Sequence, residues 1–421
     1  MEERSAQAEQ CDLLIVGGGA AGMAAAMAAQ RYKASYIVLE RAPQMGGKAS
    51  NAMVGTICGA YMRSSAPAPR WAIGGYARDL CEMLAEASGT TPERGVNGLW
   101  YLPYAMDAFT RVFSPACFFS EPGLRKDSIV SGCTLQDGAI ATVEVRRKQE
   151  VYSIAPRAVV DCTGNGTITR LCGGAMIEEA LYQAPTQVFF MEGVKAVDQR
   201  MLEFAIMRAL ARTYGPNGSF IPGVKHICSL QGSLNNGRVG VKVTLQQRVR
   251  PDEDFVALNA QGREFALRTA AFLRANVEAF DRATVQVIAP EIGVRTEPRP
   301  LGRVVLDEAH VLGAKKCADG IAVGAWPIEH WGDGTAADMQ WIAEDDWYEI
   351  PADALTSAGI PGLYFGGRGI SATEQAIASA RVMGTCFSTG YGAGLLAVHH
   401  ATGKTNEEAI ALVRAEEWPA P

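Results

Sequence analysis

The sequence predicts an α/β fold: a parallel-sheet domain with a three-stranded meander crossover, interrupted by an inserted α+β segment. Three observations carry this. A short apolar run, Asp12-Leu-Leu-Ile-Val16, passes straight into glycines and an alanine-rich stretch. A hairpin pattern around Asp137-Gly138 leads to a second apolar run that ends in Asp161-Cys-Thr-Gly-Asn-Gly166. Near the C-terminus, Pro361-Gly-Leu-Tyr-Phe-Gly-Gly-Arg-Gly369 repeats the strand-to-glycine pattern ahead of a small-residue helix. Strands that alternate with glycine turns and helices read as an α/β sheet.

The first element is a complete βαβ unit. Branched apolar residues without alternation suit a strand buried on both faces. Gly17, Gly19 and Gly22 fit GxGxxG, Ala20 to Arg31 reads as helix, and Ser35 to Leu39 as a second strand ending at Glu40. The first glycine permits the tight turn, the second lets backbone amides approach a pyrophosphate, and the third lets helix and sheet pack closely. The helix N-terminus supplies partial positive charge for phosphates, and Glu40, 18 residues beyond Gly22, can accept hydrogen bonds from ribose hydroxyls. An acid there speaks against a 2′-phosphate, so NADP is disfavoured at this site while NAD and FAD remain. This is a Rossmann-like dinucleotide-binding start.

Further along, Arg78 to Ala87 reads as an amphipathic helix and Leu99 to Val112 as another, followed by the apolar Cys117-Phe-Phe119. Asp127 to Val145 alternates around Asp137-Gly138, a hairpin signal, and continues through Val151-Tyr-Ser-Ile into Arg157-Ala-Val-Val160. Between Gln183 and about Asp338, strand-like pieces (Gln187 to Glu192, Arg238 to Leu245) flank helical stretches at 198–214 and 256–282. The expected organisation is a first part of the nucleotide-binding domain over 1–182, an inserted substrate or cap domain over 183–340, and the remainder over 341–421.

Composition excludes other classes. The chain has 421 residues, 48% hydrophobic and 20% charged, which is globular and long enough for two to three structural units. Its net charge of −6 offers no field for nucleic acid or anionic lipid. Ten cysteines without a CxxC pair argue for reduced thiols in the cytoplasm, and against zinc or an iron-sulfur cluster, so no metal is expected. The uncharged stretch Leu13 to Ala29 carries Gly17, Gly18 and Gly19 in its middle and is too short for a membrane span. Met1 to Gln10 lacks a basic signal-peptide start.

Glycine is in excess, with 45 residues, about 11% against about 7% in average usage. One further glycine cluster, Pro43 to Gly59 (PQMGGKASNAMVGTICG), follows the βαβ unit. Its GG motif, the VVDCTGNG turn and the string IGVRTEPRPLGR, ADGIAVGAWPIE, YEIPADAL and GLYFGGRGISATEQAIASARVMGT resemble, in that order, the FAD-dependent oxidoreductases of the two-dinucleotide-binding-domain flavoproteins. These are related to the glutathione-reductase and fumarate-reductase flavoprotein folds. The resemblance covers residues 11 to about 398 and implies an FAD cofactor. It implies contacts from the first unit at Gly17, Gly19, Ala20, Ala21, Gly22, Glu40 and Arg41, and from the GG segment at Gly46, Gly47, Lys48, Ala49 and Ser50. It adds Leu124, then Thr163 and Gly164 of the glycine turn after the meander. Last come Gly367, Arg368, Met383, Gly384 and Thr385, with the final helix pointing its N-terminus at the flavin pyrimidine ring. There its dipole would stabilise charge that develops on reduction.

Two positions depart from the family pattern. Arg295-Thr-Glu-Pro-Arg299 stands where RETRR is usual, and Ser371-Ala-Thr-Glu-Gln375 where SATHEA is common. An acidic substrate would need a cationic anchor, for which Arg295 or Arg299 are the candidates, with Arg303 nearby; domain-interface ion pairing is the competing reading. His330, in IEHWGDG, is a candidate base because imidazole titrates near neutrality, against a structural role. Glu374 is either a substitute acid/base or a helix cap, and Cys58 could approach the flavin. The expected activity is hydride abstraction from a small organic substrate by an FAD-dependent dehydrogenase or oxidase, reoxidised by oxygen, a quinone or a partner protein. The alternatives are a flavin monooxygenase, for which a second GxGxxG is lacking, and an electron-transfer subunit of a complex. An oligomer is compatible with the sequence.

Overall fold

The computed structural model describes residues 8–112, 123–180, 182–215, 222–246, 255–332, 336–416 and 418. Along the chain, β1 (Glu9–Val16), α1 (Ala20–Arg31) and β2 (Tyr36–Leu39) form the expected βαβ unit. Next come β3 (Thr56–Cys58), α2 (Gly75–Ser88), β4 (Trp100–Pro103), α3 (Met106–Val112) and β5 (Leu124–Arg125). The meander is β6 (Ser128–Gln136), β7 (Ala139–Arg147) and β8 (Glu150–Asp161). A second group follows: β9 (Thr186–Glu192), α4 (Gln199–Tyr214), β10 (Val224–Ser229), β11 (Arg238–Leu245), α5 (Phe255–Asn276) and β12 (Thr284–Ile288). The chain ends with β13 (Gly320–Gly324), β14 (Ile328–His330), β15 (Asp338–Gln340), β16 (Tyr348–Pro351), β17 (Leu363–Phe365), α6 (Glu374–Ala380), α7 (Met383–Ala401) and α8 (Asn406–Glu416).

The main sheet runs β5-β2-β1-β8-β7-β6, with β17 alongside β8. Strand β8 explains the crossover. Its first half pairs antiparallel with β7 from Arg147↔Glu150 to Val143↔Ile154. Its second half pairs parallel with β1 up to Val16↔Asp161. Where β7 has ended, β17 takes its side of β8, with Leu363 opposite Val159. One long strand thus carries the meander into the parallel sheet. The hairpin turn has Asp137 at φ 52° and Gly138 at φ 80°, the two left-handed positions that a two-residue turn of matching twist requires. Leu13, Leu14 and Ile15 are fully buried between layers, which is why the run lacks alternation.

Helices α1 and α7 pack backbone to backbone over this sheet. A Cβ at Gly390 would lie 2.1 Å from the Ala21 carbonyl oxygen, so the small residues of both helices are what permit the approach. The second group forms a separate antiparallel sheet, β10-β11-β9-β12, covered by α4 and α5. Its hydrophobic cluster is its own, with Phe189, Ile206, Leu210, Val241 and Leu273. Leu306, Ile321, Val323 and Ile328 belong instead to the core of the main sheet, and the last buried residue of the second group's cluster is Val294.

Two expectations for local structure change. Residues 99–104 are not helical: the aromatic Trp100-Tyr-Leu-Pro103 is a buried strand pairing Thr56 with Pro103, and the helix begins only at Met106. The helix expected over 256–282 stops at Asn276, where Val277 takes an extended backbone before a short turn at Glu278–Phe280. Cys117-Phe-Phe119 lies outside the described residues. Among the described residues, no helix is long and apolar enough to cross a membrane.

Candidate active site

Three glycine loops converge at the carboxyl ends of β1 and β8. Gly19 caps α1 with extended backbone and no side chain, leaving the amides of its first turn pointing outward. A Cβ at Gly22 would sit 1.8 Å from the Gly17 carbonyl oxygen, which fixes the third glycine sterically. The GG loop lies across this helix end. Gly46 donates its amide to Gly18 O at 2.7 Å. Gly47, at φ 51°, would place a Cβ 2.9 Å from Gly19 Cα.

Glu40 locks these loops together. Its Oε2 accepts from the Gly18 amide at 2.8 Å and its Oε1 from the Ala42 amide at 2.9 Å. Burial pushes its carboxyl above the usual range, against the pull of those two donors. Each carboxylate oxygen keeps further acceptor capacity for a ribose hydroxyl. Arg41 and Lys48 meet over the Phe255 ring, and both pair with Glu291, at 3.2 and 2.7 Å. They tie the first loop to the segment beyond the second sheet. Ala49 is buried and its carbonyl accepts from the Tyr104 hydroxyl at 3.3 Å, while the Ser50 hydroxyl is buried without a hydrogen-bond partner. Leu124 sits on the sheet edge opposite Val38.

The second loop is held by Asp161. Its Oδ1 accepts from Thr163 N at 3.0 Å and Thr163 Oγ1 at 2.5 Å, and its Oδ2 from Ile168 N at 2.9 Å. Gly164 packs on the Arg368 guanidinium, which donates to Val294 O at 2.9 Å and pairs with Glu297 at 3.1 Å. Ala20 and Ala21 open α1, and Ala21 meets Gly367, whose amide donates to Thr389 Oγ1 at 3.1 Å. Met383, Gly384 and Thr385 form the first turn of α7, and a Cβ on Gly384 would press 2.5 Å from the Ala60 amide nitrogen. The Thr385 hydroxyl is buried without a partner.

Beside the start of α7 lies a second constellation, made of charged side chains. Glu329 on β14 accepts from Trp326 Nε1 at 2.9 Å and Trp331 Nε1 at 2.8 Å. Burial alone would push its carboxyl up, but Arg381, the two indoles and Arg295 outweigh burial and hold it below the usual range. Arg381, two residues before α7, donates to Glu329 O at 3.1 Å and leaves its Nε buried and unpartnered. Arg295 stacks over Trp331 at 4.6 Å from the ring centroid and donates to Ala184 O. Burial, then the like charge of Arg381, weakens its hold on its proton; a guanidinium nonetheless stays charged at neutral pH. From the second sheet, His226 on β10 faces Trp331 at 6.1 Å between ring centroids. Burial first, then Lys242 and Arg295, push His226 down to about 4, so its imidazole is neutral at pH 7. Burial and the nearby Glu329 raise the Cys58 thiol to about 12, so it stays protonated.

The expected catalytic residues do not come together. Arg295 is in this pocket. Glu374 is not free: its carboxylate accepts from Thr296 Oγ1 at 2.7 Å and pairs with Arg299 at 3.0 Å. Arg299 is fully buried and also pairs with Glu179 at 3.2 Å, which makes it an internal tie. His330 follows Glu329 on the same strand, so its side chain leaves the opposite face. Glu329, Arg381, His226 and Lys242 were not singled out from sequence. Glu329 and Arg381 lay inside quoted motifs, but only the fold shows that 329, 381 and 295 share one pocket.

A parallel sheet with glycine turns at its carboxyl edge and a helix opening directly from the first of them defines a dinucleotide-binding α/β protein. The chain belongs to the FAD dependent oxidoreductase family, whose sequence model matches residues 12–416. It is an enzyme, and FAD is its cofactor. Among solved structures it is similar to a geranylgeranyl bacteriochlorophyll reductase-like protein from Thermoplasma acidophilum, with TM-score 0.51 and 12% identity, covering 98% of this chain and 84% of that one. It is also similar to the flavin-dependent brominase Bmp2 (TM-score 0.45, 11% identity, 96% and 83% covered). A third is PqsL of P. aeruginosa in complex with 2-aminobenzoylacetate (TM-score 0.42, 14% identity, 98% and 92% covered). At 12% identity the first shows a shared fold. No curated protein sequence matches the chain. The residues present fit FAD: the amides of two helix first turns and the buried, unpartnered hydroxyls of Ser50 and Thr385 are donors that would be available to its pyrophosphate and flavin oxygens.

Proposed function

We propose that the enzyme is a dehydrogenase or oxidase that takes a hydride from a small organic substrate, with the second sheet acting as a cap over the reacting face. The cap spans about 183–294 on this reading, because that is the extent of its own core. The observation that carries the proposal is the Arg295, Glu329, Arg381 pocket, placed where the cap strands meet the start of α7. When bound, FAD supplies the two-electron acceptor.

The chain's own residues do the rest. Within the cap, Glu203 ties α4 to β10 by accepting from Ser229 N and Oγ at 2.8 and 2.6 Å. Trp326 and Trp331 wall the pocket and hold the half-buried Glu329 carboxylate through their indole N–H groups, where charges interact more strongly than at the open surface. The first-turn amides of α7 favour negative charge at the adjoining position. Neutral His226, beside Trp331, can accept a hydrogen bond from a substrate N–H or O–H, but held near 4 it does not take over the proton-accepting role that the sequence suggested for His330.

Anaerobic mixing with a panel of amines, hydroxy acids and other small reductants, in the absence of NADH and NADPH, tests this. Bleaching of the flavin by a substrate alone is expected. Bleaching only after a nicotinamide is added would assign a monooxygenase instead.

A further inference from the structure

Buried cations without counter-ions are costly, because a charge taken out of water must be repaid by a partner. Arg295, Arg381 and Lys242 are half-buried around one pocket, near His226 and Cys228, and among the described residues none of them makes an ion pair. The buried Nε of Arg381 has no acceptor. Arg295 gives one N–H to the Ala184 carbonyl and lays its plane on Trp331. Lys242 lies on β11, opposite Cys228 of β10, on the sheet that carries His226. Glu329 is the one carboxylate shared among these groups, and two indole N–H donors already occupy it. Two more carboxylates approach but are engaged: Glu374 by Arg299, and Glu203 by Ser229. Three cations against one shared carboxylate leave a positive excess in a wall of tryptophan.

We propose that this pocket binds the carboxylate of an organic acid, with Arg381 and Lys242 as its anchors and Arg295, stacked on Trp331, supporting them. The substrate class is therefore a small carboxylic acid whose oxidisable carbon projects toward the first turn of α7. This rests on the pocket being the substrate site of the oxidoreductase described above. The unpartnered Arg381 Nε would gain an acceptor, and the positive excess would be neutralised. Glu329 has a second role here. By opposing the cations it keeps the pocket folded when the acid is absent, and it limits how tightly the acid is held.

Calorimetric titration of the FAD-loaded enzyme with acetate, succinate and benzoate, each beside its amide, tests the assignment. At least one acid is expected to bind tenfold or more tightly than its amide. Lys242→Gln, which alters a side chain on the cap sheet and leaves the main core untouched, is expected to weaken that acid at least fivefold. Glu329→Gln is expected to tighten it at least threefold, a gain that a purely structural carboxylate would not give. All three acids binding within twofold of their amides overturns the proposal, as does an acid whose affinity is unmoved by both substitutions. The visible spectrum of the same samples reports flavin separately: loss of flavin counts against the cofactor reading, and equal binding of acid and amide against this one.

Discussion

The two sites that meet at the start of α7 are built from opposite materials. The nucleotide cradle is backbone: Gly17, Gly19, Gly22, Gly46 and Gly47 bring amides together with almost no side chain between them. The neighbouring pocket is side chain: Arg295, Glu329, Arg381 and two tryptophans, contributed by segments far apart in sequence. The difference teaches how each fails. A backbone site is broken by adding atoms, whereas a charged pocket is broken by removing one partner of many.

Gly22→Val should have the largest effect. Its first added carbon would meet the Gly17 carbonyl oxygen at 1.8 Å, backbone that cannot move aside. A loss of about 5 kcal/mol, or failure to obtain folded protein, is expected in urea titration; a normal midpoint would dissolve the steric half of the contrast. Glu329→Leu comes next, at about 3–5 kcal/mol, because it strips two buried indoles of their acceptor and leaves Arg295 and Arg381 without a counter-charge. A thermal melt unchanged from wild type would mean that the carboxylate does not hold the pocket.

The third effect is set by pH. His226 titrates near 4 in the folded protein, against 6.5 for the free side chain. Between those values the unfolded chain takes up a proton that the folded one refuses. Stability should therefore decline as pH falls from about 6.5, by about 3 kcal/mol in all, and level off below about 4. His226→Gln should flatten that part of the curve, and an identical slope in the variant would remove His226 from the pocket's electrostatics. At the small end, Asp107→Asn breaks an exposed pair with Arg111 at 3.2 Å. It should change stability by less than about 0.5 kcal/mol, which calibrates the others.

The same contrast explains what was legible. Glycine spacing is a local signal, so the βαβ unit, the Asp137-Gly138 turn and the strand before Gly366 could all be read from short windows. The apolar run Trp100–Pro103 suits a helix as well as a strand, and only its pairing with β3 separates the two. Arg299 and Glu374 looked like free chemistry because an ion pair 75 residues apart leaves no trace in spacing. Glu329 and Arg381 stayed hidden for the same reason, and His330 drew attention for its chemistry although its neighbour on β14 faces the pocket. Residues 306–328, inside the 183–340 span expected for the cap, are as apolar as a domain core, and the core they fill is the main one.

The central claim is that backbone loops and two orphan hydroxyls converge on FAD. Ser50 Oγ and Thr385 Oγ1 are buried without partners, so removing them costs the empty protein nothing in hydrogen bonds. The direct measurement is the FAD dissociation constant of the Ser50→Ala, Thr385→Val double variant, read beside the melting temperature of the apoprotein. The account expects the constant to rise at least tenfold while the apoprotein melts at the same temperature or higher. An unchanged constant would contradict it.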